Sequence, residues 1–135
     1  MSVSTVIYTL LSSSSTITGV VGTRIYPQQI PQVAGYPAIT FTSISNVPTN
    51  TKGATGKSTM DRYRIQVTMV ATLQSTIDTL GDAVRAALDY TYMQTIAGTK
   101  VQLISYQNEV DMFDEGSGQD GVFIKHQDYL LTISI

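Results

Sequence analysis

The sequence has no cysteine and no tryptophan, only one histidine, and few charges: Asp, Glu, Lys and Arg make up 13% of its 135 residues. Without cysteine there is no disulfide framework, no thiolate nucleophile and no thiolate zinc site. A lone histidine has no second imidazole or thiolate to complete a metal site or a nucleophile–base pair. The charge content lies well below the roughly 25% of an average globular domain. Ser, Thr, Gln and Gly fill the gap, and such a hydroxyl-rich surface costs little to desolvate, which suits a subunit buried against copies of itself. The net charge is -2 and the cations are scattered, so nothing attracts phosphate backbones at long range. Sequence-specific nucleic-acid binding is not expected. No apolar run approaches the roughly 18 residues that cross a bilayer, and the first residues lack a basic signal-peptide start. The expectation is a soluble chain with no membrane partner, remaining where it is made until assembled.

What is present is 42% apolar residues in a chain long enough to bury a core, with no internal repeat and no linker. One domain over residues 1–135 is expected. Val3, Val6, Ile7, Leu10 and Leu11 mark one face of a first helix, with Ser2 or Ser4 as its cap and fraying at Ser12–Ser15. Arg24–Tyr36, with Pro27, Pro31 and Gly35, reads as an ordered loop. Ala38–Asn46 is a first strand that Pro48 stops. Asp61–Val70 is the clearest strand: Tyr63, Ile65, Val67 and Met69 form its core face, and Arg62, Arg64, Gln66 and Thr68 its polar face. Ser75 caps a second helix with Ile77, Leu80, Val84, Ala87 and Leu88 inward, and Arg85 spaced to pair with Asp89. A hairpin-like stretch around Gly98 leads into a strand at Lys100–Tyr106, and a last strand runs from Val122 onward with Phe123, Tyr129, Leu131, Ile133 and Ile135 on one parity. Leu130 breaks that alternation and suggests a bulge near Lys125–Gln127.

The fold class implied is α+β: a mainly antiparallel sheet of four or five strands with two helices on one face, in the order helix, strand, strand, helix, strand, strand. Val47–Thr59 and Glu109–Gly121 read as long loops, a kind that is usually functional or disordered.

Several tempting motifs have blander explanations. Gly53 to Ser58 ends like a phosphate-binding loop, but Thr51 stands where a glycine is required and a strand follows instead of a helix. His126 with Asp128 suggests part of a triad, yet alternation puts both on the outer face of a strand with no nucleophile activated. Asp111, Asp114, Glu115 and Asp120 do not follow the calcium-loop spacing. Lys52, Lys57, Arg62 and Arg64 read as a solvated face that gains weight only if repeated around a ring. No catalytic residue, cofactor site or metal site is expected.

Taken together, certain segments resemble the tail completion family of long-tailed bacteriophages, the tail terminator or head-to-tail joining proteins. They are the helix ending Leu10–Leu11, the run Gly22–Pro27 with Arg24, Ile25 and Tyr26, then Pro31, and Tyr36–Phe41 opening a strand. Asp61–Val67, the helix ending Val84–Leu88 and a terminal strand complete the pattern. The resemblance spans nearly the whole chain. It implies a non-enzymatic subunit of a hexameric ring at the neck end of the virion tail, formed after assembly in the host cytoplasm. That ring would stop tube polymerisation, touch the tail tube protein and the head-tail connector protein, and let DNA through without sequence-specific binding. Interface residues suggested on this basis are Arg24, Tyr26, Lys52, Lys57, Arg62, Arg64, Asp114 and Glu115. The Thr49–Thr59 loop departs from the family pattern. Competing readings are a head completion or neck connector subunit and, from another class, a small ligand-binding domain or enzyme. The latter requires a pocket with converging polar groups.

Overall fold

The computed structural model describes residues 3–27, 36–49, 60–89, 91–114 and 121–134. Three helices are present, α1 (Val3–Ser12), α2 (Ser15–Val21) and α3 (Gln74–Leu88). Six strands accompany them: β1 (Ile25–Pro27), β2 (Ala38–Thr49), β3 (Met60–Ala71), β4 (Thr91–Ile96), β5 (Thr99–Asp114) and β6 (Val122–Ser134). The strands form one mixed sheet in the order β1-β2-β3-β6-β5-β4, with β1 parallel to β2 and every other neighbouring pair antiparallel.

This corrects the expected four- or five-stranded antiparallel sheet with two helices in α-β-β-α-β-β order. The additional helix arises at Ser14. Its extended backbone lets the side chain accept a hydrogen bond from Ile17 N at 3.4 Å, so a serine run read as fraying instead starts α2. Gly22, at φ 62°, ends that helix with its N–H on the Thr18 carbonyl at 2.8 Å. β1 falls inside the segment read as a loop. Three residues suffice for it because β2 supplies the neighbouring ladder. β4 is the first arm of the hairpin-like stretch expected around Gly98, and its extent was hidden because only its end residues, Thr91 and Ile96, are buried, leaving no alternation to read.

Other boundaries move as well. Pro48 does not stop β2: beyond Phe41 the strand pairs only with β3, and a proline without an N–H is tolerated on such an edge. Ser75 lies inside α3, whose cap position is Leu73 with no side-chain hydrogen bond. Ser4 lies inside α1, while Ser2 is outside the described residues. β5 continues to Asp114 through the stretch taken for a loop. Its polar residues there, from Gln107 onward, are exposed strand residues. No register shift occurs on β6 between Lys125 and Gln127. The shifts against β6 fall on β5, at Gln102 and Gln107.

The core is a single cluster between the helical layer and the inner face of the sheet. Val6, Ile7 and Leu11 of α1, Ile17 and Val21 of α2, and Ile77, Leu80, Val84 and Leu88 of α3 meet Ile65, Val67 and Met69 of β3 and Tyr129, Leu131 and Ile133 of β6. Period-two burial on the two central strands and helical spacing on α3 lead to the same place, so local pattern and packing agree. Tyr63 and Ala87 pack half-buried at the margin of this cluster.

Candidate functional site

Two features of the sheet are candidates for function: its edges and a polar cluster beneath α3. Both edges are stepped. β1 covers β2 only along Ile39–Phe41, so among the described residues Thr42–Thr49 has no partner on that side. At the other edge β4 covers β5 only as far as Ile104, so among the described residues Ser105–Phe113 pairs with no strand on that side. Where β4 ends, the Asp89 carboxylate accepts the Tyr106 N–H at 3.0 Å, satisfying the first backbone donor of the open stretch. Arg85 lies 4.0 Å over the Tyr106 ring and 3.4 Å from Asp89, which holds that corner in place.

Exposed apolar side chains gather on the same edges. Ten large hydrophobic residues are exposed among those described, and seven stand here: Ile44 and Val47 on β2, Tyr92 and Met93 on β4, and Val110, Met112 and Phe113 on β5. Open strand edges with apolar side chains invite pairing with another strand, and solitary proteins usually blunt them with charge or cover. Such clustering is what a joining surface requires.

The polar cluster is built on the inner face of β6. Lys125 and Gln127 share parity with Tyr129 and Leu131 and are buried. The Lys125 ammonium lies 3.3 Å from both Glu109 and Asp111 and 3.9 Å from Asp78 of α3. Burial alone would pull the lysine pKa down, but hydrogen bonds and charge from Glu109 and Asp111 outweigh it and hold the pKa above its ordinary value. Burial likewise pushes the Glu109 carboxyl up, and bonds from Gln127 and Lys125 reverse that, leaving it lowered. Gln127 donates to the Gly81 carbonyl at 3.1 Å and to Glu109 at 2.9 Å, and it accepts from the buried Tyr129 hydroxyl at 2.7 Å. The Tyr129 pKa is pushed far up by burial, so its hydroxyl stays a donor. Every member has partners, which describes a specified core network and gives no activated nucleophile. Sequence reasoning missed it because Leu130, an apolar residue on the outer parity, suggested a bulge near Lys125–Gln127, which left the facing of those two residues unread. The unbroken parity from Phe123 to Ile133 was the available signal.

Those of the sequence-suggested interface candidates that the structure describes are not gathered in one place. Arg24 is half-buried, its Nε donating to the Pro37 carbonyl at 2.8 Å beside the cis Tyr36–Pro37 peptide. Tyr26 is half-buried on β1. Arg62 and Arg64 are exposed on the outer face of β3, with Arg64 3.1 Å from Asp128 of β6. Asp114 is exposed at the end of β5, far along the strand direction from Arg62. Lys52, Lys57, Glu115 and Asp120 lie outside the described residues, as does the Gly53–Ser58 run. His126 sits on the outer face, 2.9 Å from the Thr68 hydroxyl, and Asp111 is a strand residue tied to Lys125.

One open groove of about 280 Å³ lies where the three helices meet. Its lining of Leu10, Ser13, Ser14, Thr16, Ala83, Ala86 and Ala87 contains no acid or base, so it does not supply the converging groups that an enzyme reading needs.

A family model described as tail completion protein gp17 matches residues 5–124, from α1 into β6. Among solved structures, a chain of the virion of a native gene transfer agent particle superposes with a TM-score of 0.72 at 9% identity, covering 98% of this chain and 95% of that one. A second solved chain superposes with a TM-score of 0.54 at 12% identity, covering 83% of this chain and 79% of that one. No curated protein sequence matches. At these identities the structural likenesses establish the fold alone.

Proposed function

This chain belongs to the tail completion protein gp17 family, and on that premise we propose that copies of it form a hexameric ring at the head-proximal end of a phage tail. The ring stops tube polymerisation and joins the finished tail to the head connector, so its partners are itself, the tail tube protein and the head-tail connector protein. It assembles in the host cytoplasm, ends in the virion neck, and passes DNA without reading its sequence.

The observation that carries this reading is the family match over residues 5–124. The likeness to a chain from a virion particle and the two open, apolar sheet edges support it, because a head-to-tail contact repeated by rotation closes into a ring. The low charge and net acidity agree with a channel wall that does not hold passing DNA. The whole described chain acts as one folding unit in this proposal, and the reading is structural, with no catalytic step.

The test is tail length. In particles made without this gene, tubes polymerised past the normal length support a stopping role. Tubes of normal, uniform length contradict it.

A further inference from the structure

The two stepped edges are complementary to one another at the same levels of the sheet. Residues paired across the ladders define two lateral rows on its outer face, each crossing four of the five ladders. One row reads Tyr26, Thr40, Thr68, His126, Val110. The other reads Val47, Arg62, Thr132, Leu103, Tyr92. At the level of the first row, β1 projects on one side and β5 lies open on the other. At the level of the second, β4 projects where its opposite edge, β2, lies open. Each projection therefore stands level with the notch it would enter on a neighbouring copy displaced sideways.

Strand polarity also permits the join. A rotation about an axis along the strands keeps every direction, which sets β1 antiparallel to the open part of β5 and β4 parallel to the open part of β2. Each row ends in apolar side chains: Val47 and Tyr92 are exposed, as is Val110, while Tyr26 is half-buried. Continuing the sheet would place Val110 beside Tyr26 and Tyr92 beside Val47, removing all four from water while satisfying open backbone groups. A symmetric join of one edge to its own copy would leave the opposite edge open, so these observations favour a head-to-tail partner identical to this chain.

We propose that one subunit joins the next by this stepped strand pairing, β1 beside open β5 and β4 beside open β2, so that the sheet runs on from copy to copy. The inference rests on the ring reading and names its contact.

The absence of native cysteine makes the register directly testable. Neighbouring strands place paired Cα atoms about 4.5–5.5 Å apart, within the roughly 4.4–6.8 Å span that a disulfide needs. The double variants Tyr26→Cys/Val110→Cys and Val47→Cys/Tyr92→Cys should each oxidise to ladders longer than a dimer, whereas single variants stop at a dimer. The mismatched pair Val47→Cys/Val110→Cys has its members on rows about 20 Å apart, six residues along β3, and should give no ladder. Native mass spectrometry and melting curves on the same samples report assembly and folding, and the second matched pair stands in if one variant fails to fold. Rings with ladders from the matched pairs alone support the proposal. Rings without those ladders, or with equal ladders from the mismatched pair, overturn it and leave the ring reading standing. A folded monomer at all concentrations that still gives no ladder or ring when tails are added overturns both.

Discussion

Gly81 of α3 lies directly over the side chain of Lys125 on β6: a Cβ at position 81 would stand 2.8 Å from Lys125 Cδ and 3.2 Å from its Cε. In an exposed helix, glycine to alanine gains about 1 kcal/mol. Here the lysine stem is buried and its ammonium is held by Glu109 and Asp111, so it cannot swing aside without losing those contacts. Gly81→Ala is predicted to destabilise by about 1 kcal/mol net. In a Lys125→Ala background the obstruction is gone and the same change should stabilise by up to about 1 kcal/mol. Chemical denaturation of the four proteins checks this. An effect of the same sign in both backgrounds would show that the glycine is not there for the lysine.

The same cluster gives stability a pH dependence with a defined sign. The Glu109 pKa is lowered in the fold, so its contribution is present above the ordinary carboxylate value of about 4.3 and lost as pH falls through the folded value. The Lys125 pKa is raised, so its contribution is complete below about 10.4 and lost as pH rises through the folded value. Glu109→Gln should therefore melt below the parent at neutral pH, and the gap should narrow as pH drops from about 5 toward 3. A gap that stays constant across that range would contradict this assignment.

Removing the Tyr129 hydroxyl leaves the Gln127 Oε1 without its 2.7 Å donor in a buried site. Tyr129→Phe is expected to cost about 1–2 kcal/mol, the penalty of one buried acceptor left unmet. Denaturant midpoints measure it. A cost below about 0.5 kcal/mol would mean that the glutamine finds another partner.

Arg64 and Asp128 pair on the outer side of the sheet, the arginine 44% exposed and the aspartate half-buried at 15%. Arg64→Ala should lower stability by less than about 1 kcal/mol, since exposed pairs contribute little. A larger loss in a thermal melt would mark Arg64 as a structural residue and remove it from the interface candidates.

Sequence made the central packing legible because burial there is one-sided and periodic. Ile65, Val67 and Met69 alternate with Arg64, Gln66 and Thr68, and Ile77, Leu80, Val84 and Leu88 repeat at helical spacing. The periphery was not legible, for physical reasons that differ by element. Ser14 acts as a cap where serine-rich sequence also fits a coil. β1 is three residues long and exists through its neighbour. The open half of β5 carries polar and apolar residues on an exposed ladder, so Glu109 and Asp111 read as loop residues. Leu130 suggested a break in the alternation near Lys125–Gln127, yet β6 keeps one register against β3 throughout. Of the candidate interface, isolated cations were nameable from sequence. The stepped edges were not, because they depend on which strands lie side by side and how far each extends.

The most direct test of the central claim is to add the purified chain to tails assembled without it, image them by electron microscopy, then add heads and titrate infectious particles. The account predicts a ring of density on the head-proximal end alone and recovery of infectivity once heads are supplied. Density on heads and none on tails, or no recovery with either, would contradict it.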